Sequence, residues 1–161
     1  MNVPFRCVLC TVESDSHLWN LVYLQKLLEE HGASVNNLGT CTPVENVATA
    51  IRADRPDLLV VSSVNGHGFH GAQVLLTHLK DSGLEVACAI GGKLTTAVSD
   101  DDRVRSELLE LGFTDVFLGD DAIDRFQDFL KFGLAHGFSA WRADPALITP
   151  WDQDAATREV Y

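Results

Sequence analysis

Five times along this chain a short apolar run gives way to a segment whose apolar residues recur at helical spacing. Such alternation leaves few folds open. Consecutive strands joined through helices must lie parallel, because the crossover returns each strand to the starting edge, and the right-handed twist of strands makes those crossovers right-handed. The strand-like runs are residues 5–12, 33–38, 57–63, 84–90 and 114–118. The richest, Leu58-Leu59-Val60-Val61, suits a central strand buried on both faces. The helices are expected at 18–31, from 42–43 to before Arg55-Pro56, 72–82, 100–111 and 121–135. In the first, Leu18, Leu21, Val22, Leu24, Leu27 and Leu28 form the inward stripe, and Gly32 ends it. The second is read as capped by Thr42 with Pro43 in its first turn. The last turns Ile123, Phe126, Leu130 and Leu134 inward. The expectation is an α/β fold: a single flavodoxin-like (Rossmann-like) doubly wound domain over 1–136, its five-stranded parallel sheet ordered 2-1-3-4-5. Residues 137–161, with Trp141, Pro145, Pro150 and Trp151 among charges and no clean period, read as an irregular C-terminal tail covering an apolar patch or docking another subunit.

Charge removes whole classes of partner. With a net charge of −11, the surface repels phosphates, so neither nucleic acid nor an anionic membrane is an expected ligand. No run is long and apolar enough to span a bilayer, and the N-terminus enters a strand directly without a signal-peptide pattern. A cytoplasmic location is therefore expected. Cys7 and Cys10 form a C-x-x-C, but residues three apart on a strand point to opposite faces. With Cys41 and Cys88 they read as reduced thiols rather than a redox or zinc motif.

In a doubly wound sheet, ligands bind beyond the carboxyl ends of the strands. The chemistry-bearing residues of this chain collect there. Asp15-Ser16-His17 follows the first strand, and a carboxylate beside an imidazole fixes the ring's tautomer for metal ligation. Ser62-Ser63-Val64 ends the most buried strand, where serines offer hydrogen bonds in place of aliphatic packing. Gly91-Gly92 ends the fourth strand, and paired glycines remove side chains and open a slot. Gly66-His67-Gly68-Phe69-His70-Gly71 matches the letters of a dinucleotide fingerprint, but it follows the third strand, and Glu85 begins the fourth instead of ending it. The glycines are better read as letting backbone pass close to a bulky ligand. A three-histidine zinc site from His17, His67 and His70 is a further alternative. A phosphoreceiver would need an acid ending the third strand and a lysine after the fifth, where Ser62-Ser63 and Gly119-Asp120 stand.

Taken together, Asp15-Ser16-His17-Leu18-Trp19-Asn20, Ser62-Ser63-Val64 and Gly91-Gly92 resemble the D-x-H-x-x-G, S-x-L and G-G motifs of the cobalamin-binding domain family, and most of all the small subunits of glutamate mutase (methylaspartate mutase). The resemblance implies a corrin bound base-off, with His17 as lower cobalt ligand and Asp15 on its other ring nitrogen. The cofactor-binding residues it implies are Ser14, Asp15, Ser16, His17, Leu18 and Asn20 in the first loop. Ser62, Ser63, Val64 and Gly66 follow in the third, and Gly91, Gly92, Lys93, Leu94 and Thr95 after the fourth strand. Two positions depart from the pattern: Asn20 replaces glycine and Val64 replaces leucine. The implied activity is an isomerase: an adenosylcobalamin-dependent carbon-skeleton mutase of the glutamate-to-3-methylaspartate type, working with a large substrate-binding subunit. The alternatives are a non-catalytic cobalamin carrier or sensor, and a corrinoid methyl-transfer protein. The latter usually carries a helical cap before the sheet, whereas this chain enters its first strand within a few residues of Met1.

Overall fold

A computed structural model describes residues 5–144. The chain runs β1 (Arg6–Thr11), α1 (Leu18–Glu30), β2 (Ser34–Asn37), α2 (Val44–Asp54), β3 (Leu58–Ser63), α3 (Gly68–Asp81), β4 (Cys88–Gly92), α4 (Asp101–Leu111), β5 (Asp115–Phe117) and α5 (Ala122–His136). Short 3-10 turns at Val98–Asp100 and Phe138–Ala140 precede α4 and follow α5. The five strands pair in parallel in the order β2-β1-β3-β4-β5. β3 is the centre, and all six of its residues are buried.

Helices cover both faces, as strands without a polar face require. One layer packs α2, α3 and α4 over Val8, Cys10, Leu59, Val61, Cys88 and Ile90. The other packs α1 and α5 over Cys7, Leu9, Leu58, Val60 and Ala89. Cys7 and Cys10 thus lie on opposite sides of the sheet. Each fully buried Leu or Phe stabilises the fold by about 1.5–3 kcal/mol. The second layer concentrates aromatic rings: Phe129 meets Phe117, Phe138 and Trp141 with centroids 5.3–5.5 Å apart.

Several details differ from the sequence expectation. Leu21, Leu27 and Leu28 are buried in α1, but Leu18 and Val22 are exposed, because they stand four apart on a flank of the helix, off the line of Leu21 and Leu28 that meets the sheet. Pro43, not Thr42, is the N-cap of α2; the Thr42 hydroxyl donates instead to Gly39 O at 2.8 Å and accepts from Thr11 N at 3.2 Å. α3 begins a full turn earlier than the periodicity implies. The glycines that made this stretch look like loop let the helix settle on the sheet: a Cβ on Gly68 would lie 2.6 Å from Ser63 Oγ, and one on Gly71 2.7 Å from Val12 Cβ. At these two positions the missing side chains serve helix–sheet packing. β4 starts at Cys88 instead of residue 84, and so includes both terminal glycines. In α5 Phe129 and Gly133 are buried, while Ile123 and Leu134 are exposed.

The start of the C-terminal segment lies on the domain. Phe138 is buried against Phe5 and Phe129, and Trp141 Nε1 donates to Asp115 Oδ2 at 2.9 Å. Asp115 Oδ1 pairs with buried Arg105 at 3.1 Å, and Arg105 also donates to Asp144 O at 2.6 Å. Pro145, Pro150 and Trp151 fall outside the described residues.

Candidate functional site

β1 ends under a tight turn in which Asp15 N donates to Val12 O at 3.0 Å. The turn drives the Asp15 side chain inward, to 1% exposure. Its Oδ1 accepts His17 N and bonds His17 Nδ1, both at 2.8 Å, and its Oδ2 accepts Val64 N at 2.7 Å. Its backbone carbonyl accepts Cys41 N at 2.7 Å and the Thr11 hydroxyl at 3.2 Å. One carboxylate therefore ties the end of β1 to the end of β3. Burial pushes its pKa up, but the bonds from Val64 N, His17 N and the His17 ring outweigh that and hold it below the usual aspartate value. Ionised Asp15 can only accept, so His17 Nδ1 carries the hydrogen, and in the neutral ring Nε2 keeps its lone pair. His17 is the N-cap of α1, and its side chain is 55% exposed. An outward imidazole lone pair, anchored from behind by a buried anion, is a preorganised ligand for one metal coordination position.

Beside this pair a cavity of 340 Å³ opens between the sheet and the α1/α5 layer. It exists because β4 presents small residues where its neighbours do not. Val60 registers with Ala89, Ser62 with Gly91, and Gly91 with Phe117. Alternation puts Val60, Ser62, Ala89 and Gly91 on one face, so Ala89 and Gly91 leave a hollow between β3 and Phe117. α1 contributes Asn20, Tyr23 and Leu24 to the walls, and α5 contributes Ala122, Ile123 and Phe126. Gly92 is fixed as glycine by a φ of +118° and by a Cβ position that would collide with Ser63 O. Lys93 N then donates to the same carbonyl at 2.7 Å, closing the strand end. Val64 lines the cavity while its N–H holds Asp15, and Asn20 lies one turn of α1 beyond His17. The cavity stays open with Asn20 in its wall, and Trp19 turns outward at 80% exposure.

The structure brings together Asp15, His17, Asn20, Ser62, Val64, Gly91 and Gly92. Ser16 and Leu18 are exposed on either side of His17. Ser14 instead accepts Asn65 Nδ2, at 3.0 Å to its carbonyl and 3.1 Å to its hydroxyl, and lines a hollow on the opposite face with His67 and His70. Ser63 is fully buried and points toward α3, donating to Asn65 Oδ1 at 3.3 Å. Gly66 sits at φ +81° against Thr96. Leu94 is not at the cavity: it is 1% exposed and packs in the α2/α3/α4 layer beside Gly68. The Thr95 hydroxyl donates to Ala97 O at 2.8 Å, which shapes its loop. Among the described residues no group of three or more His, Cys, Asp or Glu is placed to hold a metal ion, so the three-histidine alternative falls. Sequence reasoning missed Tyr23, Leu24, Phe117, Ala122, Ile123 and Phe126. The signal was present in part: Tyr23 and Leu24 stand three and four residues past Asn20, and so share its face of the helix.

Comparison with known proteins gives the family. Residues 5–122 match the B12 binding domain model, and the chain belongs to that family of cobalamin-binding domains. Its relatives include glutamate mutase sigma subunits. It is 32% identical to that of Halobacterium salinarum over 127 residues, which is 79% of this chain and 85% of the relative. It is 30% identical to sigma subunit 1 of Haloarcula marismortui over 115 residues, 71% and 76% of the two chains. Among solved structures, the methanol:cobalamin methyltransferase complex of Methanosarcina barkeri shares the fold with a TM-score of 0.65 at 18% identity. That match covers 87% of this chain and 52% of the other, so this chain spans about half the length of that neighbour.

Proposed function

We propose that this chain is the cobalamin-binding subunit of an adenosylcobalamin-dependent carbon-skeleton mutase of the glutamate-to-3-methylaspartate type, an isomerase. In this reading it holds the corrin base-off, with His17 as lower cobalt ligand. The observation that carries it is the Asp15–His17 pair, joined to the cavity through Val64, which lines it and donates its N–H to Asp15. The residues present suit the cofactor in two respects. One nitrogen lone pair faces outward, as a single axial position needs, and the hollow left by Ala89 and Gly91 gives a flat heteroaromatic group room beside the sheet.

When bound, adenosylcobalamin supplies a weak cobalt–carbon bond as a source of radicals. The chain's own part is positional. His17 Nε2 would hold the cobalt, and Asp15 holds the ring's tautomer and orientation. Ser62 and Val64, with Gly91 and Gly92 opposite, would receive the displaced nucleotide. In this reading a larger subunit supplies the substrate site, as the naming of the relatives as sigma subunits suggests. Leu18, Trp19 and Val22, exposed beside His17, give that partner an apolar surface to meet. The cytoplasm is the natural compartment for a chain whose four cysteines are all free, and no helix among the described residues is long and apolar enough to cross a membrane.

The test is reconstitution. The chain, adenosylcobalamin and a glutamate mutase large subunit should convert glutamate to 3-methylaspartate, and His17→Ala should lose at least most of that turnover. Tight corrin binding with no isomerisation by any such mixture would point instead to a carrier.

A further inference from the structure

One wall of the cavity is carried by the first two turns of α5, through Ala122, Ile123 and Phe126. Residues that line a hollow give up packing contacts on that side, and an apolar lining tends to relax inward. The position of α5 must therefore be fixed from elsewhere. Its support lies past the helix, in a strap formed by residues 137–144. Phe138 is buried against Phe129, with ring centroids 5.3 Å apart. α5 carries glycine at 133 where the Phe138 ring lies, because a Cβ there would collide with it. Trp141 stands edge-on to Phe129 and Phe132, with centroids 5.3 and 5.2 Å away.

The strap is in turn anchored to the sheet. Trp141 Nε1 donates to Asp115 Oδ2, and Arg105 donates both to Asp115 Oδ1 and to the carbonyl of Asp144. Asp115 and Phe117 are two apart on β5 and so share its face; Phe117 lines the cavity. Phe129 is the link between strap and wall, since it also meets Phe117 at 5.5 Å and Phe126 at 6.2 Å. Neither Phe138 nor Trp141 lines the cavity. Resting on the function proposed above, we infer that Trp141, with Phe138, is a positioning residue for the corrinoid site. From outside the cavity it holds α5 at the distance from β5 that admits the cofactor's nucleotide.

Equilibrium dialysis against cobalamin and against cobinamide, which lacks the nucleotide, tests this in the wild type, Trp141→Phe and Trp141→Ala. Corrin absorbance gives bound and free ligand. Trp141→Phe keeps a ring against Phe129 but removes the donor to Asp115, and Trp141→Ala removes both. Cobalamin affinity should fall roughly two- to tenfold in Trp141→Phe, the worth of about one hydrogen bond, and further in Trp141→Ala. Cobinamide affinity should stay at the wild-type value in both. Circular dichroism verifies that the variants fold. Coupling is reciprocal, so the wild type alone gives a second reading: cobalamin, and not cobinamide, should slow amide hydrogen exchange at residues 138–141. Unchanged cobalamin affinity in folded variants, equal losses for the two corrinoids, or exchange in the strap indifferent to cobalamin would overturn the inference and leave the proposed function standing. A wild-type chain that binds neither corrinoid would overturn both.

Discussion

Asp15→Asn isolates what the buried carboxylate does, because it keeps shape and removes charge. Asp15 receives three hydrogen bonds on two oxygens: His17 N and His17 Nδ1 on Oδ1, and Val64 N on Oδ2. An asparagine has one acceptor oxygen. If that oxygen takes the Oδ1 position, its NH2 opposes Val64 N–H, and a backbone donor at the end of β3 is left unmet. In the reverse orientation NH2 opposes His17 N–H, and the ring must accept at Nδ1, which moves its hydrogen to Nε2 and blocks the outward lone pair. Either way about 1–3 kcal/mol of stability is lost, a fall in Tm of roughly 2–12 °C for a domain of this size. Corrin affinity should fall roughly 10–100-fold, as when a carboxylate behind a ligating histidine is removed. The pH dependence has a defined sign. The folded Asp15 pKa lies below the ordinary value of 3.8, so its stabilisation is fully present above that value and is lost as pH falls through the lower, folded one. Urea unfolding followed by circular dichroism should therefore show a wild-type advantage over Asp15→Asn that is constant at neutral pH and narrows below pH 3.8. An equal Tm for the two proteins at pH 7, or a gap that widens on acidification, would refute the reasoning.

Three further outcomes follow from contacts elsewhere in the domain. Arg105→Ala leaves Asp115 buried with its Trp141 and Val116 bonds but no cation; it should cost about 3–5 kcal/mol in urea unfolding and change Trp141 fluorescence. Gly92→Ala forces a φ of +118° on a residue with a Cβ and sets that carbon against Ser63 O; a loss of about 2 kcal/mol or more is expected, read by thermal melting. Burial raises the Cys10 thiol to about 12 and also raises Cys7 and Cys88, whereas Cys41 is exposed; a thiol reagent at neutral pH should label Cys41 quickly and the other three only on unfolding.

The sheet order was legible because buried parallel strands leave a signal that side-chain identity alone conveys: unbroken apolar runs such as Leu58-Leu59-Val60-Val61. Asp15 and His17 stood out for the related reason that polar residues at a strand's carboxyl end must have a partner. What periodicity could not convey was which apolar residues the sheet covers. Leu18 and Val22 border the stripe of Leu21 and Leu28, yet they stand on its flank and stay exposed. Gly68 and Gly71 look like loop by composition, but their missing side chains seat α3 on Ser63 and Val12. Leu94 follows the Gly91-Gly92 motif in sequence and belongs to the opposite layer in space. The aromatic wall formed by Phe117 and Phe126 depends on α5 folding back beside β5, a contact between elements that no local pattern encodes.

The central claim, that a protein nitrogen takes the lower cobalt position, is tested most directly by electron paramagnetic resonance of cob(II)alamin bound to the chain. One axial nitrogen of natural isotope splits each cobalt line into a triplet, and a nitrogen-15 ligand splits it into a doublet. Uniform nitrogen-15 labelling of the protein, with unlabelled cofactor, should turn the triplet into a doublet, and His17→Ala should remove the splitting. A triplet that persists in the labelled protein would mean that the cofactor's own base holds the metal, and the roles assigned to Asp15, His17 and the cavity would be wrong.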